Sequence, residues 1–587
     1  MSRPFRVEGI EALALKYALL NAIRYGGQAS KKAVISKIFA ERPELRPYAR
    51  EIVNLVAKAV EKVNKLTLDE QRRLIEERWP ELLEEKERKE EKKELPPLPN
   101  ADKFKKIRTR FAPNPDFDIH IGNARAAIIS YKYAEMYKGD FILRFEDTDP
   151  KTKTPILEAY DVIRENLKWL GLKWSEEYIQ SLRMEHYYEK AKELIQLGGA
   201  YVCTCPPNKI KEDRLRGLRC KHAYQSIEES LDLWERMLEG EFKEQEAVLR
   251  VKTDPKYPDP SVRDWIAFRV IDTSKYPHPL VGDKYIVWPT YNFACGIDDH
   301  LLSISHILRG KEHIVNTIKQ KYMYKHFGWK YPEAIHMGRL KLEGFILSKS
   351  KIRAGIEKGI YSSWDDIRLA TLSALRRKGI LPQAIWEVIL DVGIKPSEAR
   401  ISIVNLHAIN RKYLEPLANR YMFVKDPVKV KILNPPFLEA ELPFHPSYPE
   451  RGKRKISVSP IDNVAHIFIS GDDSRELKEG STIRLMGLYN IKVLEKKQEE
   501  LIAEVIGISH KKAHVEKIPI LQWVPCTNNV RVEVYRAKGN QLYIEEGLGE
   551  PAISDLKVNS QVQFIRYGFV KIEEKSERGI KAIYTHD

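Results

Sequence analysis

Residues 106–145 leave this chain little freedom of fold. Residues 106–111 have strand character, a proline-rich loop with Pro113 and Pro115 follows, and helical apolar spacing then starts near Ile121 and carries Ala124, Ala127 and Ile128. Residues 141–145 are strand-like again. Strand, helix and strand in that order predict a parallel α/β sheet. From about Arg183 to Lys284 the pattern gives way to a helical approach, a cysteine cluster and short strands, and strand character resumes at residues 285–288. An insertion between two halves of one sheet explains this.

Composition divides the rest. At 587 residues the chain exceeds what one hydrophobic core supports. Residues 1–80 show helical periodicity (Ile10, Leu13, Leu15, Tyr17, Leu19, then Val34, Ile35, Ile38, Phe39) interrupted by Gly26 and Gly27, which predicts a small helical domain. Residues 81–94 are almost all charged and Pro96, Pro97 and Pro99 follow, so 81–100 reads as an exposed helix ending in a stiff linker. The remaining units are the α/β halves 101–184 and 285–350, the insertion 185–284, a helical connector 351–415 and an all-β tail 416–587.

The net charge is +16 and the pI near 9.2, with Lys and Arg spread along the chain. Such a surface suits an extended polyanion such as RNA, although solubility alone accounts for it equally well. Glu11, Lys16, Asn21 and Arg24 interrupt the apolar N-terminus, which excludes a signal peptide or membrane span there, and no later segment is long and apolar enough. Three of the five cysteines fall between Cys203 and Cys220, the arithmetic of a metal site rather than a disulfide framework. A cytoplasmic protein is expected.

The chemistry is concentrated in Arg110-Phe-Ala-Pro-Asn-Pro-Asp-Phe-Asp-Ile-His120-Ile-Gly-Asn-Ala-Arg125. It runs from a strand end through a loop into a helix N-terminus, where open α/β sheets bind anions. Gly122 lets the backbone approach a nucleotide, while His120 and Asn123 can donate hydrogen bonds to phosphate oxygens from one helical turn.

This segment resembles the HIGH signature of class I aminoacyl-tRNA synthetases, in the form found in the glutamate and glutamine branch. Far downstream, Phe345-Ile-Leu-Ser-Lys-Ser-Lys351 resembles the KMSKS loop, with Ile346 where the first lysine often stands and Lys349 as the essential match. The resemblance implies that His120, Asn123 and Lys349 are catalytic. It also implies that Pro113, Asn114, Gly122, Leu347, Ser348 and Ser350 help to surround ATP and its magnesium.

Two further stretches extend the likeness, residues 144–149 and residues 289–312. They imply a glutamate pocket of Arg110, Ala112, Asn114, Glu146, Tyr291, Cys295 and Arg309, in which the arginines handle the carboxylates and Glu146 the α-ammonium. Glutaminyl enzymes typically lack an arginine at the position of Arg309. A desolvated guanidinium pairs with a carboxylate, whereas an amide leaves it uncompensated at about 2 to 5 kcal/mol, roughly 30-fold or more in discrimination.

Cys203-Thr-Cys205 and Cys220-Lys-His222 present four ligands as two short knuckles. Tetrahedral zinc suits them, with unrelated buried cysteines as the open alternative. The resemblance implies a closed structural zinc site in the insertion, shaping the surface that meets the tRNA acceptor end.

The tail decides the branch. Residues 426–432, 520–524 and 562–569 resemble the two anticodon-reading β-barrels of glutaminyl and archaeal-type glutamyl enzymes, and Arg531, Tyr535, Arg536 and Trp523 are candidates to touch bases. The whole resemblance is to glutamyl-tRNA synthetases of the archaeal and eukaryotic type. It implies a monomer that joins L-glutamate to tRNA-Glu, with tRNA-Gln open as a second acceptor. A glutaminyl enzyme is the nearest alternative, and a non-catalytic tRNA-binding scaffold or a small tRNA-modifying relative the more distant ones.

Overall fold

Thr109 lies at the centre of a five-stranded sheet, paired on one side with Phe141 and on the other with His306. The structure, a computed structural model, describes residues 9–24, 27–79, 95–436, 439–458, 460–497, 500–510, 515–516 and 518–587. The charged run expected at 81–94 lies outside the described residues. Two compact units make up the chain, Met1–Glu94 and Leu95–Asp587.

In the first unit, helices Ile10–Arg24, Lys31–Glu41, Ala49–Asn64 and Leu68–Arg78 share one core. Ile10, Tyr17 and Leu19 are buried on the first helix as expected, and alanines complete the buried face. Ala14, Ala18 and Ala22 are fully buried, whereas Leu13 and Leu15 are only half-buried. Alanines spaced by four residues form one smooth stripe, against which Ala49–Asn64 packs. Thr67 caps the last helix reciprocally with Glu70, and Gln71 donates to the carbonyls of Gly27, Val63 and Leu66.

The second unit begins with β1 (Arg108–Phe111), β2 (Asp140–Phe145), β3 (Glu176–Ile179), β4 (Ala200–Cys203), β5 (Val248–Val251), β6 (Ile266–Val270), β7 (Val287–Pro289), β8 (His306–Gly310) and β9 (Glu333–Met337). β3, β2, β1, β8 and β9 lie side by side in that order, all parallel. The order of connection reverses between β1 and β8, so the crevice past their carboxyl ends is the switch point where such sheets bind ligands. β1 reads Arg-Thr-Arg-Phe rather than the aliphatic run usual in a parallel sheet. Arg108 makes this tolerable by tying three strands together, 2.5 Å from Asp140 and 2.9 Å from Glu176. Helix Ile121–Met136 buries Ala124, Ala127, Ile128 and Ile129 in the same core.

Two expectations are corrected here. Residues 285–288 do not resume the parallel sheet, because β7 pairs antiparallel with β6 in a separate sheet ordered β4-β5-β6-β7. A short apolar run fits either sheet, and here Trp288 is drawn into a cluster with Trp234 and Phe268. The proline-rich residues 95–99 are not a free spacer either. Leu95 and Leu98 are buried in the α/β core, Tyr133 donates to the Pro96 carbonyl, and the Tyr137 hydroxyl accepts from the Leu98 amide.

Helices Leu372–Lys378, Pro382–Val392 and Ile403–Leu414 follow, with Ile385 and Ile389 in the same core as Ile128. The last third forms two barrel-like, seven-stranded sheets. One joins Asn419–Tyr421 and Phe423–Lys425 to the strands from Val530 to His586, and the other is built from strands between Val428 and Pro525. The second is therefore an insertion into the first. Gly379 is the joint: its φ is +91°, and its carbonyl accepts from Asn410 on the helices and from Gln561 on the barrel. A Cβ at Gly379 would lie 2.6 Å from Thr585 Oγ1. Gly379→Ala is expected to cost about 2 kcal/mol through left-handed strain and this close approach. Calorimetry of the variant should show a lower melting temperature, and an unchanged one would mean that the joint is looser than the geometry implies.

Candidate active site

A cavity of about 1130 Å³ opens past the carboxyl ends of β1 and β8. Its floor is set by the start of helix Ile121–Met136. His120 is the N-cap of that helix, and its Nδ1 accepts hydrogen bonds from the amides of Gly122 (3.0 Å) and Asn123 (3.3 Å). The Asn123 side-chain oxygen accepts in return from the His120 amide at 3.3 Å. Gly122 is required by this fold-back, since a Cβ there would lie 2.8 Å from His120 Cε1. The first amides of the helix are thus taken by an imidazole rather than left for an anion, which narrows the expected role of the helix end. Because Nδ1 accepts, the ring hydrogen sits on Nε2. Burial, and after it the Lys349 ammonium, holds the imidazole down at about 4, so it is neutral near pH 7. His120 keeps one N–H and Asn123 its amide hydrogens as donors.

Across the cavity, Lys349 is the first residue of helix Lys349–Glu357. Its ammonium lies 2.7 Å from Asp116 Oδ1 and 3.5 Å from the Asn114 carbonyl, and Arg353 donates to the Asp116 carbonyl. The lysine expected on a free loop is therefore held against the proline-rich loop by Asp116, which sequence reasoning did not single out. Leu347 and Ser348 line the cavity with it. Ser350 does not: it is exposed, with its hydroxyl 3.1 Å from that of Ser348.

The third wall holds the arginines. Arg110, on β1, lies 3.2 Å from Asp299 Oδ1, and the same oxygen lies 2.9 Å from Arg144, which in turn holds Glu146 at 2.9 Å. Two guanidiniums and two carboxylates form a balanced cluster. Burial alone would raise the Asp299 carboxyl, yet the arginines outweigh it and hold it at about 2. Arg309, on β8, has no such balance. Its Nη2 donates to Thr317 Oγ1 (2.5 Å), Gln320 Oε1 (3.0 Å) and the Tyr331 hydroxyl (3.1 Å), and its Nη1 to the Tyr291 hydroxyl (3.3 Å). Every acceptor is neutral.

Arg110, Ala112, Pro113, Asn114, His120, Gly122, Asn123, Glu146, Tyr291, Arg309 and Lys349 all line this one cavity. Cys295 does not, contrary to expectation. It is fully buried behind the wall, 3.4 Å from Arg144 and 3.8 Å from Arg110, and burial, with Asp299 next, pushes its thiol up to about 12. Three buried polar atoms of cavity-lining residues have no hydrogen-bond partner: Arg309 Nε, Asn114 Oδ1 and Asn292 Oδ1. Sequence reasoning missed Thr317, Gln320 and Tyr331, and Asp299 stood unassigned within the stretch 289–312. Arg144 stood inside a motif without an assigned role, and the i, i+3 spacing of Thr317 and Gln320 was the one signal that they share a helix face.

In the insertion, Cys203, Cys205, Cys220 and His222 bring their ligand atoms within 4.8 Å of one another. The Cys203 and Cys220 sulfurs are 3.6 Å apart, and His222 Nδ1 lies 3.4 Å from Cys205 Sγ and 3.8 Å from Cys220 Sγ. A tetrahedral zinc with bonds of about 2.3 Å to sulfur and about 2.0 Å to nitrogen spaces its ligands by roughly these distances. His222 Nε2 faces the Thr204 hydroxyl at 3.1 Å, the kind of outer contact that fixes a ligating ring. Among the anticodon candidates, Trp523 is fully buried with its indole N–H on the Met486 carbonyl, so it packs the barrel core instead of facing a base.

Comparison with known proteins agrees with this geometry. The family model described as tRNA synthetases class I (E and Q), catalytic domain, matches residues 106–416. Two models of the anti-codon binding domain of the same family match residues 418–511 and 520–573. The chain is 54% identical to a glutamate–tRNA ligase of Thermofilum pendens, over 98% of this chain and 99% of that one. It is 51% identical to one of Caldivirga maquilingensis, over 98% and 99%, and 52% identical to one of Pyrobaculum islandicum, over 98% and 100%. The chain belongs to the class I tRNA synthetases of the glutamate and glutamine branch.

Proposed function

We propose that this chain is a glutamate–tRNA ligase, which activates L-glutamate with ATP and esterifies it to the 2′-hydroxyl of the terminal adenosine of tRNA-Glu. The observation that carries the choice of amino acid is Arg309, a buried guanidinium at the cavity wall with only neutral partners. An acidic side chain supplies the missing counter-charge, and glutamine does not. Glu146, held by Arg144 at 2.9 Å, presents its carboxyl group at the cavity edge, which suits the α-ammonium.

In the first step, an oxygen of the glutamate α-carboxylate attacks the α-phosphorus of ATP, which enters as its magnesium complex, and pyrophosphate leaves. The tRNA 2′-hydroxyl then attacks the carbonyl carbon, and AMP leaves. No protein nucleophile is required. The neutral His120 and Asn123 donate hydrogen bonds to phosphate oxygens, and Lys349 exchanges Asp116 for the triphosphate, so that catalysis rests on orientation and positioned charge. The barrel-like sheets provide the surface for the anticodon, and Cys203, Cys205, Cys220 and His222 hold a structural zinc that fixes the two knuckles of the insertion.

Charging of purified tRNA-Glu by the wild-type protein should proceed with glutamate and hardly with glutamine; equal charging by both would remove this reading. Arg309→Leu is expected to lower kcat/KM for glutamate by at least roughly thirtyfold. Lys349→Ala should slow tRNA-dependent pyrophosphate exchange by about a hundredfold or more while leaving tRNA affinity in filter binding unchanged, and normal exchange in that variant would contradict the assignment. Atomic emission on the purified chain should find about one zinc per molecule, lost in Cys220→Ser together with thermal stability. A metal-free wild-type protein of undiminished stability would argue for a plain thiol cluster instead.

A further inference from the structure

The two arginines of the glutamate pocket are held in opposite ways. Arg110 is met by the carboxylate of Asp299, while among the described residues no carboxylate lies within ion-pair distance of Arg309. Stability alone favours a carboxylate beside a buried guanidinium. Two side chains already in contact with Arg309 stand where one could be. Gln320 is fully buried and differs from glutamate by one heavy atom; its Oε1 accepts from Arg309 and, at 2.7 Å, from the Tyr331 hydroxyl. Its Nε2 donates to the Asn292 carbonyl at 3.4 Å, which orients the amide with its oxygen toward the guanidinium. Thr317 likewise offers a hydroxyl where aspartate would fit, and its Oγ1 lies 2.9 Å from Nε2 of His336, whose imidazole is pushed down by burial and next by Arg309.

We infer that Gln320 and Thr317 determine specificity as positioning residues: they fix Arg309 through neutral oxygens only, so that its charge is kept for the acidic side chain of the substrate. They anchor Nη2, and Nη1, held only by the neutral Tyr291 hydroxyl, remains for the incoming carboxylate. The inference rests on the glutamate reading above and adds to it that selectivity depends on the neutrality of the residues around Arg309 as much as on Arg309 itself.

The test compares Gln320→Glu and Thr317→Asp with the neutral variants Gln320→Met and Thr317→Val. The readout is the ratio of kcat/KM for glutamate over glutamine in charging of a tRNA-Glu transcript, with thermal melting as the check on folding. Each carboxylate variant should lower the ratio at least tenfold, mainly through a higher KM for glutamate, while each neutral variant, which gives up the anchoring bond but adds no counter-charge, should lower it by clearly less. A purely structural role would damage both amino acids alike and leave the ratio unmoved. The inference fails if the carboxylate variants keep the wild-type ratio, or if the neutral variants lose as much of it. Using two positions keeps the test decisive should one variant not fold. A wild-type protein that does not prefer glutamate would refute the glutamate reading itself, which is a separate outcome from unaltered selectivity in the variants.

Discussion

A guanidinium buried without a counter-charge is the constraint on which the rest of this site depends. Leaving an ion unpaired inside a protein costs several kcal/mol. The fold tolerates Arg309 because the backbone of β8 fixes its base and four neutral oxygens take its N–H groups, which lowers the penalty without cancelling the charge. The neighbouring cluster does the opposite. Arg110 and Arg144 share Asp299, Arg144 holds Glu146, and the Cys295 thiol is pushed too far up to add a negative charge. Of the three arginines Arg110, Arg144 and Arg309, only Arg309 is therefore without a carboxylate partner among the described residues, which matches a substrate side chain with one negative charge.

The rest of the cavity is built by one repeated device. Helices starting at Ile121, Tyr291 and Lys349 each contribute residues of their first turn or cap to its wall: His120, Gly122 and Asn123 from the first, Thr290, Tyr291 and Asn292 from the second, and Ser348 with Lys349 from the third. Helix N-termini carry partial positive charge, so the starts at Tyr291 and Lys349, which no side chain caps, favour anionic groups. The His120 cap adds precision to this. By filling two helix amides with its own Nδ1, the ring loses rotational freedom and its remaining N–H acquires a fixed direction.

The parts of this arrangement that are local in sequence could be read there. The strand, loop and helix from 108 to 136 were legible because periodicity, prolines and a helix start coincide within thirty residues. The cysteine knuckles were legible from spacing. What escaped was every feature decided by a distant partner. β7 is three residues long, and only the aromatic cluster around Trp288 assigns it to the insertion. The burial of Leu95 and Leu98 follows from Tyr133 and Tyr137, which wait on a helix some forty residues away. The two barrel-like sheets interleave because Phe423–Lys425 pairs with Gln541–Gly549, over a hundred residues on, and no local pattern encodes that pairing.

The same limit applies to function. Arg110 and Arg309 stand in motifs of equal clarity, and as residue types they are identical. Their chemistry differs because one meets Asp299 and the other meets Gln320, Thr317 and Tyr331. A motif identifies where a charge is placed, whereas its neighbours decide whether that charge is available. Relatives that keep an arginine at this position could thus still differ in how much of it they offer to the substrate, and the residues around the guanidinium are where such differences would lie.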